Sequence, residues 1–206
     1  MAEADQPQLY LVTPPEFDLS SFPDKLSSVL DAAEIACMRL SLATRDEDRL
    51  LRAADVVRDL AHRYDIALVI DTHVVLAQRL GLDGVHLTDG SRSVRAARKD
   101  LGPDAIVGTF CGSSRHDGMV AGEAGADYVA FGPLSGEALG DGTLADFELF
   151  EWWSQMIEVP IVAEGGLTPE LVAKLAPVTD FISIGEEIWN TEDPAATLKA
   201  LTDAMR

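Results

Sequence analysis

Residues 105–131 read AIVGTFCGSSRHDGMVAGEAGADYVAF. The stretch opens on a short apolar run, Ala105 to Thr109, crosses a polar turn, and continues as a helical segment from Arg115 to Ala124. It closes on a second apolar run, Tyr128 to Phe131. Apolar runs this short, without polar alternation, fit strands buried on both faces of a parallel sheet.

The same unit recurs in both directions along the chain. Upstream, strands are expected at Leu9 to Val12, Ile35 to Leu42, Ala67 to Ile70 and Gly84 to Leu87. Helices fall between them at Phe22 to Ala33, Glu47 to Tyr64, Val74 to Leu80 and Val94 to Leu101. In the second helix Leu50, Leu51, Ala54, Val57, Leu60 and Ala61 recur at three- and four-residue spacings and share one face. Downstream come a helix from Phe147 to Ile157, a strand from Ile161 to Ala163 and a helix from Pro169 to Leu175. A strand from Phe181 to Ile184 and a helix from Pro194 to Met205 complete the pattern. Thr168 suits the N-cap position and Pro169 the first helical one.

Strict strand–helix alternation, about eight times over, predicts an α/β fold of the (β/α)8 TIM-barrel type, a single domain over 1–206. A doubly wound sheet would want a glycine-rich turn after its first strand. That turn here is Thr13-Pro14-Pro15-Glu16, with no glycine to cradle a phosphate. No linker interrupts the pattern, and the one unusual loop is 134–145, rich in glycine and acid.

The formal net charge of −19 argues against nucleic acid and anionic lipid as partners, since both repel such a surface. Small molecules are the expected partners, with a homo-oligomer left open. The two cysteines, Cys37 and Cys111, form no CxxC pair, and no zinc motif can be read from them. The acidic, polar start is unlike a signal peptide, and no apolar run approaches the roughly 18 residues that span a membrane. A reducing cytoplasm is the expected compartment.

In a barrel of this kind chemistry sits at the C-terminal ends of the strands. Arg39 and Ser41 fall there after the second strand, and Asp71, Thr72 and His73 after the third. Glu164, Gly165 and Gly166 follow the seventh, and Glu186 and Glu187 the eighth. A double glycine opening a loop before a helix lets backbone N–H groups approach a ligand, usually a phosphate, although a tight turn needs glycine too. Asp71, Glu164, Glu186 and Glu187 would raise one another's pKa values or invite a cation if they converge. The candidate ligand-binding set at the barrel mouth is therefore Arg39, Asp71, Glu164, Gly165, Gly166 and Glu186, with no metal ligand and no catalytic residue assigned. His86, in a strand, reads as a hydrogen-bonded structural histidine. Cys111 reads as a buried thiol, and Trp152-Trp153 as a packing or partner-facing pair.

Several segments resemble one family. Leu9-Tyr10-Leu11-Val12-Thr13 is similar to its opening strand and Asp83-Gly84-Val85-His86-Leu87 to its fourth. Residues 124–133, AGADYVAFGP, closely resemble its sixth, and Pro160-Ile161-Val162-Ala163 with Gly165-Gly166 its seventh. The family is thiamine-phosphate synthase with its relative, the thiazole tautomerase TenI. The resemblance implies a barrel that joins a pyrimidine methyl pyrophosphate to a thiazole phosphate and releases pyrophosphate. It also implies magnesium, if the synthase reading holds, and basic side chains for the leaving group.

The chain departs from that family's motifs. The Gln-x-Arg-x-Lys pattern after the second strand reads Arg39, Ser41, Ala43 here. The two metal-binding aspartates align with Thr72 and Ser91, and Asp89 stands two residues early. A serine after the fifth strand aligns with Phe110 and the tautomerase histidine with Gly112. The Thr-x-Thr-Lys loop is replaced by Ser135-Gly136-Glu137-Ala138. Glu164 stands at a normally apolar position and Glu186 where a serine helps hold the thiazole phosphate.

At an effective dielectric of roughly 20, a carboxylate ~4 Å from a phosphate charge costs on the order of 4 kcal/mol. From that penalty the sequence predicts a divergent member without normal synthase activity, its acidic mouth taking a small neutral or cationic ligand. The alternative is a working synthase or tautomerase in which Arg39 and Gly165-Gly166 hold phosphate. A third reading is a non-catalytic scaffold that binds through the Trp152-Trp153 helix.

Overall fold

The structure, a computed structural model, describes residues 6–136 and 139–206. Glu137 and Ala138 of the unusual loop, and the first five residues, lie outside the described residues. Eight parallel strands close into a barrel in sequence order. They are β1 (Gln8–Val12), β2 (Ile35–Leu40), β3 (Ala67–Asp71), β4 (Gly84–Leu87), β5 (Ile106–Phe110), β6 (Tyr128–Phe131), β7 (Ile161–Glu164) and β8 (Phe181–Ile184). The helices are α1 (Phe22–Ala32), α2 (Glu47–Arg63), α3 (Val74–Leu80), α4 (Val94–Leu101), α5 (Arg115–Glu123), α6 (Phe147–Met156), α7 (Pro169–Leu175), α8 (Glu186–Trp189) and α9 (Pro194–Ala204). The TIM-barrel expectation holds, with most element ends within a residue or two of the expected bounds.

Alternation along each strand sorts the side chains into two layers. Leu9, Leu11, Met38, Leu40, Leu68, Ile70, Phe131 and Ile182 point outward into the main core under the helices. Tyr10, Cys37, Val69, Phe110, Tyr128, Ala130 and Val162 form a separate cluster inside the barrel. The lumen is tight: a Cβ at Gly108 would sit 1.9 Å from the Tyr128 ring, so glycine there makes room for that phenol. Trp153 is buried against Phe131, and its indole N–H donates to the Val159 carbonyl. Trp152 is partly buried, with the Arg115 guanidinium over its ring at 4.1 Å.

Four helices, α2, α5, α7 and α9, start at a residue whose side chain accepts an orphan backbone N–H. Asp46 accepts from Arg49, Thr168 from Leu171 and Asp193 from Ala196. The opposite end of the barrel shows a repeated device. Asp83, Asp127 and Asp180 each precede an even-numbered strand and accept an N–H from the first or second residue of the preceding odd strand. The distances are 2.7 Å to Leu68, 2.7 Å to Val107 and 2.8 Å to Ile161. Part of the acidity thus serves stability at the end away from the chemistry. Among the described residues no helix is long and apolar enough to cross a membrane.

Candidate active site

The C-terminal mouth of the barrel holds a cavity of about 400 Å³, walled by the loops that follow β1, β2, β6, β7 and β8. Its lining includes Arg39, Ser41, Ser135, Glu164, Ser183 and Glu186, together with Gly165 and Gly166. A larger cleft lies beside it between the β1–α1 loop and α2, sharing only Pro15. The mouth is the better candidate because the strand ends converge there.

Arg39 points inward from β2 and crosses the lumen to β7. Its guanidinium forks onto the Glu164 carboxylate, with Nη1 donating to Oε2 at 3.1 Å and Nη2 donating to Oε1. Asp71, at the end of β3, lies 3.4 Å from Nε. Both members of the central pair are about 6% exposed, so neither charge is left to water. Burial works against the Arg39 charge. Glu164 first and Asp71 second outweigh it and hold the guanidinium well above its ordinary pKa. Burial pushes the Asp71 carboxyl up, and Arg39 counters part of that shift.

Deeper in the lumen lies a second polar chain. His86 Nδ1 is 2.8 Å from the Tyr128 hydroxyl, which is 2.7 Å from the Tyr10 hydroxyl. The Arg39 guanidinium carbon sits 5.8 Å from the Tyr10 ring centroid, linking the two groups. Burial, and secondarily Arg39, pushes His86 well below the usual imidazole range, so it is a neutral hydrogen-bonding residue. Burial likewise raises both tyrosine hydroxyls, which stay protonated. Burial also pushes the Cys111 thiol to about 12, an inert group rather than a nucleophile.

Gly165 and Gly166 both take left-handed backbone, with φ of +90° and +69°. A Cβ on Gly166 would sit 2.1 Å from the Ser135 carbonyl oxygen, so the close approach of two loops demands glycine. The loop is tied through its carbonyls: Gly165 accepts from Leu134 N–H and Gly166 from the Ser135 hydroxyl. Glu187 braces it from α8, accepting from Leu167 N–H at 3.2 Å and Gly185 N–H at 2.9 Å.

Of the six expected mouth residues, Arg39, Asp71 and Glu164 meet in one cluster. Gly165, Gly166 and Glu186 line the same cavity without touching that cluster through a hydrogen bond or ion pair among the described residues. Sequence reading missed Ser183 and the short helix α8, and it placed Glu187 at the strand end without its bracing role. Ser183 is buried at the cavity, and its hydroxyl has no partner among the described residues. Glu187 is the brace, and α8 is a four-residue turn too short to show periodicity. Ser183 was detectable in principle as the one polar residue in the apolar run Phe181 to Ile184. Trp189, at the end of α8, is buried, donates its indole N–H to the Val12 carbonyl and packs on Phe22.

A resident magnesium ion does not fit these residues. Thr72 and Ser91 stand at the positions aligned with metal carboxylates, and Ser91 donates its hydroxyl to Asp117. Asp71 is turned to Arg39, and Asp89 accepts from Ser93. Among the described residues no three His, Cys, Asp or Glu side chains converge as a cation site.

Comparison with known proteins gives a consistent result. Residues 9–187 match the family model described as thiamine monophosphate synthase. A thiamine-phosphate synthase of Rhodospirillum centenum is 42% identical over 201 residues, covering 97% of this chain and 96% of that protein. One from Erythrobacter litoralis is 38% identical over 203 residues, covering 95% of each. The fold superposes on a thiamine phosphate pyrophosphorylase from Pyrococcus furiosus with a TM-score of 0.82. That pair is 21% identical, over 96% of this chain and 95% of that one.

These relatives overturn the expectation that normal synthase activity has been lost. Relatives similar over nearly the full length carry the synthase name, which leaves the working-synthase alternative as the better supported one. The physical error lay in treating Glu164 as a bare carboxylate facing phosphate. Its charge is spent on Arg39, so the electrostatic penalty assigned to it does not apply. The same pairing removes Arg39 as a free phosphate clamp.

Proposed function

The chain belongs to the thiamine monophosphate synthase family, and from that premise we propose that it joins a pyrimidine methyl pyrophosphate to a thiazole phosphate with release of pyrophosphate. The observation that carries this reading is the 42% identity to a thiamine-phosphate synthase across almost the whole of both chains. The mouth cavity of about 400 Å³ is in the size range of small-molecule sites and stands where this fold places chemistry.

In this reading the Arg39–Glu164–Asp71 cluster is a rigid polar floor rather than an anion clamp. The amide N–H groups of Gly165 and Gly166 serve oxyanions, because the bonds that tie their loop use its carbonyls. The Ser41 side chain, which lines the same cavity, adds an uncharged hydroxyl. No step is routed through a metal, since the donor set does not fit one.

The test is direct. Purified protein is incubated with both substrates in magnesium-containing buffer, and thiamine phosphate and pyrophosphate are quantified separately. Equal amounts of the two products, each requiring both substrates, are expected. A folded protein that forms neither product above the protein-free control contradicts the proposal.

A further inference from the structure

Charge around the mouth cavity is unevenly committed. Among the described residues the lining carries one guanidinium, Arg39, and three carboxylates, Glu164, Glu186 and Glu187. Arg39 and Glu164 neutralise each other. Both oxygens of Glu187 accept backbone N–H groups, from Leu167 and Gly185. The Glu186 carboxylate is solvent-exposed and enters no hydrogen bond or ion pair among the described residues.

An independent feature points to a ligand at the same place. Ser183 faces the cavity from the inner side of β8, between Tyr10 of β1 and Glu164 of β7 in the barrel wall. It is 2% exposed, and its hydroxyl has no hydrogen-bond partner among the described residues. Buried hydroxyls are normally satisfied, and a polar ligand atom in the cavity would satisfy this one.

The joining step creates the charge that Glu186 lacks a partner for. The lone pair of the thiazole nitrogen forms a bond to the methylene carbon. The electron pair of the breaking C–O bond leaves with pyrophosphate, and no proton moves. The ring nitrogen becomes quaternary, and a neutral thiazole becomes a cationic thiazolium. A carboxylate indifferent to the neutral ring attracts the cationic one, and only such a differential interaction favours the reacting state.

We propose that Glu186 is a specificity-determining residue that makes the mouth prefer the thiazolium ring over its uncharged counterpart, with the Ser183 hydroxyl as a charge-independent polar anchor. The inference rests on the synthase reading for the identity of the ring.

The experiment compares two probes of the same shape by calorimetric titration at low salt, where surface charge is least screened. One is thiamine phosphate; the other is its thiophene analogue, with carbon in place of the charged ring nitrogen. Wild-type protein should bind the cationic probe more tightly. Glu186→Gln should weaken that probe about tenfold, the change that ~1.4 kcal/mol produces, and leave the thiophene analogue unaffected. Glu186→Asp should retain most of the preference, and Ser183→Ala should weaken both probes alike. Equal binding of the two probes by wild type, a Glu186→Gln loss shared by both, or no binding of the cationic probe overturns the inference. Ring preference is read from binding alone. Failure of the synthase reading would instead appear as absent pyrophosphate release, so the two failures are distinguishable.

Discussion

Arg39 of β2 and Glu164 of β7 meet across the barrel lumen, although β1 and β8 separate their strands in the sheet. The forked pair ties opposite walls of the barrel together and turns the floor of the mouth cavity into a closed, nearly neutral layer. Asp71 attaches a third wall to the same guanidinium.

Removing one partner should cost more than removing both. Arg39→Met leaves Glu164 and Asp71 buried without a counter-charge, and Glu164→Leu strands the guanidinium. Each single change is expected to lose roughly 3–5 kcal/mol, the cost of breaking a buried pair. The Arg39→Met/Glu164→Leu double variant should recover a large part of the loss. Urea unfolding of all four proteins measures the coupling. Simply additive losses would show that the pair is not energetically linked.

His86 makes stability pH-dependent. Its folded pKa is depressed, by burial first and Arg39 second. Its contribution is therefore fully present above the unfolded value of ~6.5 and is lost as pH falls toward the folded value, at about 1.4 kcal/mol per pH unit. Asp71 has the opposite sign: its raised folded pKa gives stability that is full below the unfolded value of ~3.9 and lost as pH rises through the folded one. Comparing wild type with His86→Gln cancels the Asp71 contribution. Between pH 7.5 and 5.5 the wild-type unfolding free energy should fall more steeply than that of the variant. Parallel curves would mean that His86 is not held neutral by its site.

Both thiols should be silent in the native protein. Burial pushes Cys37 and Cys111 to about 12. A disulfide-exchange reagent at pH 8 should label neither residue in buffer and both in denaturant, since the thiolate is the reactive form. Fast labelling of Cys111 without unfolding would return it to the list of candidate nucleophiles.

Gly166→Ala should damage the mouth while leaving the barrel folded. The residue has φ of +69°, and an added Cβ would press on the Ser135 carbonyl. The left-handed conformation alone costs roughly 1–2 kcal/mol for a residue with a side chain. The expected result is a modest fall in Tm and a larger rise in KM for the phosphate-bearing substrate. An unchanged KM would show that the loop does not touch substrate.

Much of the architecture was legible in the amino-acid order. Strand runs such as Gly84–Leu87 and Phe181–Ile184, and helices such as Val74–Leu80 and Pro169–Leu175, carry their own periodicity and caps, so their bounds emerge from local patterns. Helix α8 has four residues, too few for a helical period to repeat, and it was missed. Asp83, Asp127 and Asp180 carry no local sign of their role, because the strand N–H groups they hold are distant in sequence.

The site divides the same way. The order of residues alone determined which side chains stand at the strand ends, because alternation and strand length are local properties. Only the tertiary structure decided which charges remain free. Arg39 and Glu164 are 125 residues apart in sequence, and Glu187 meets Leu167 from another loop. Whether a carboxylate is paired depends on distances across the closed barrel, and barrel closure is a long-range property that no local pattern encodes. A reading from the sequence therefore counted every carboxylate as bare, and the fold leaves Glu186 as the mouth carboxylate with no partner among the described residues.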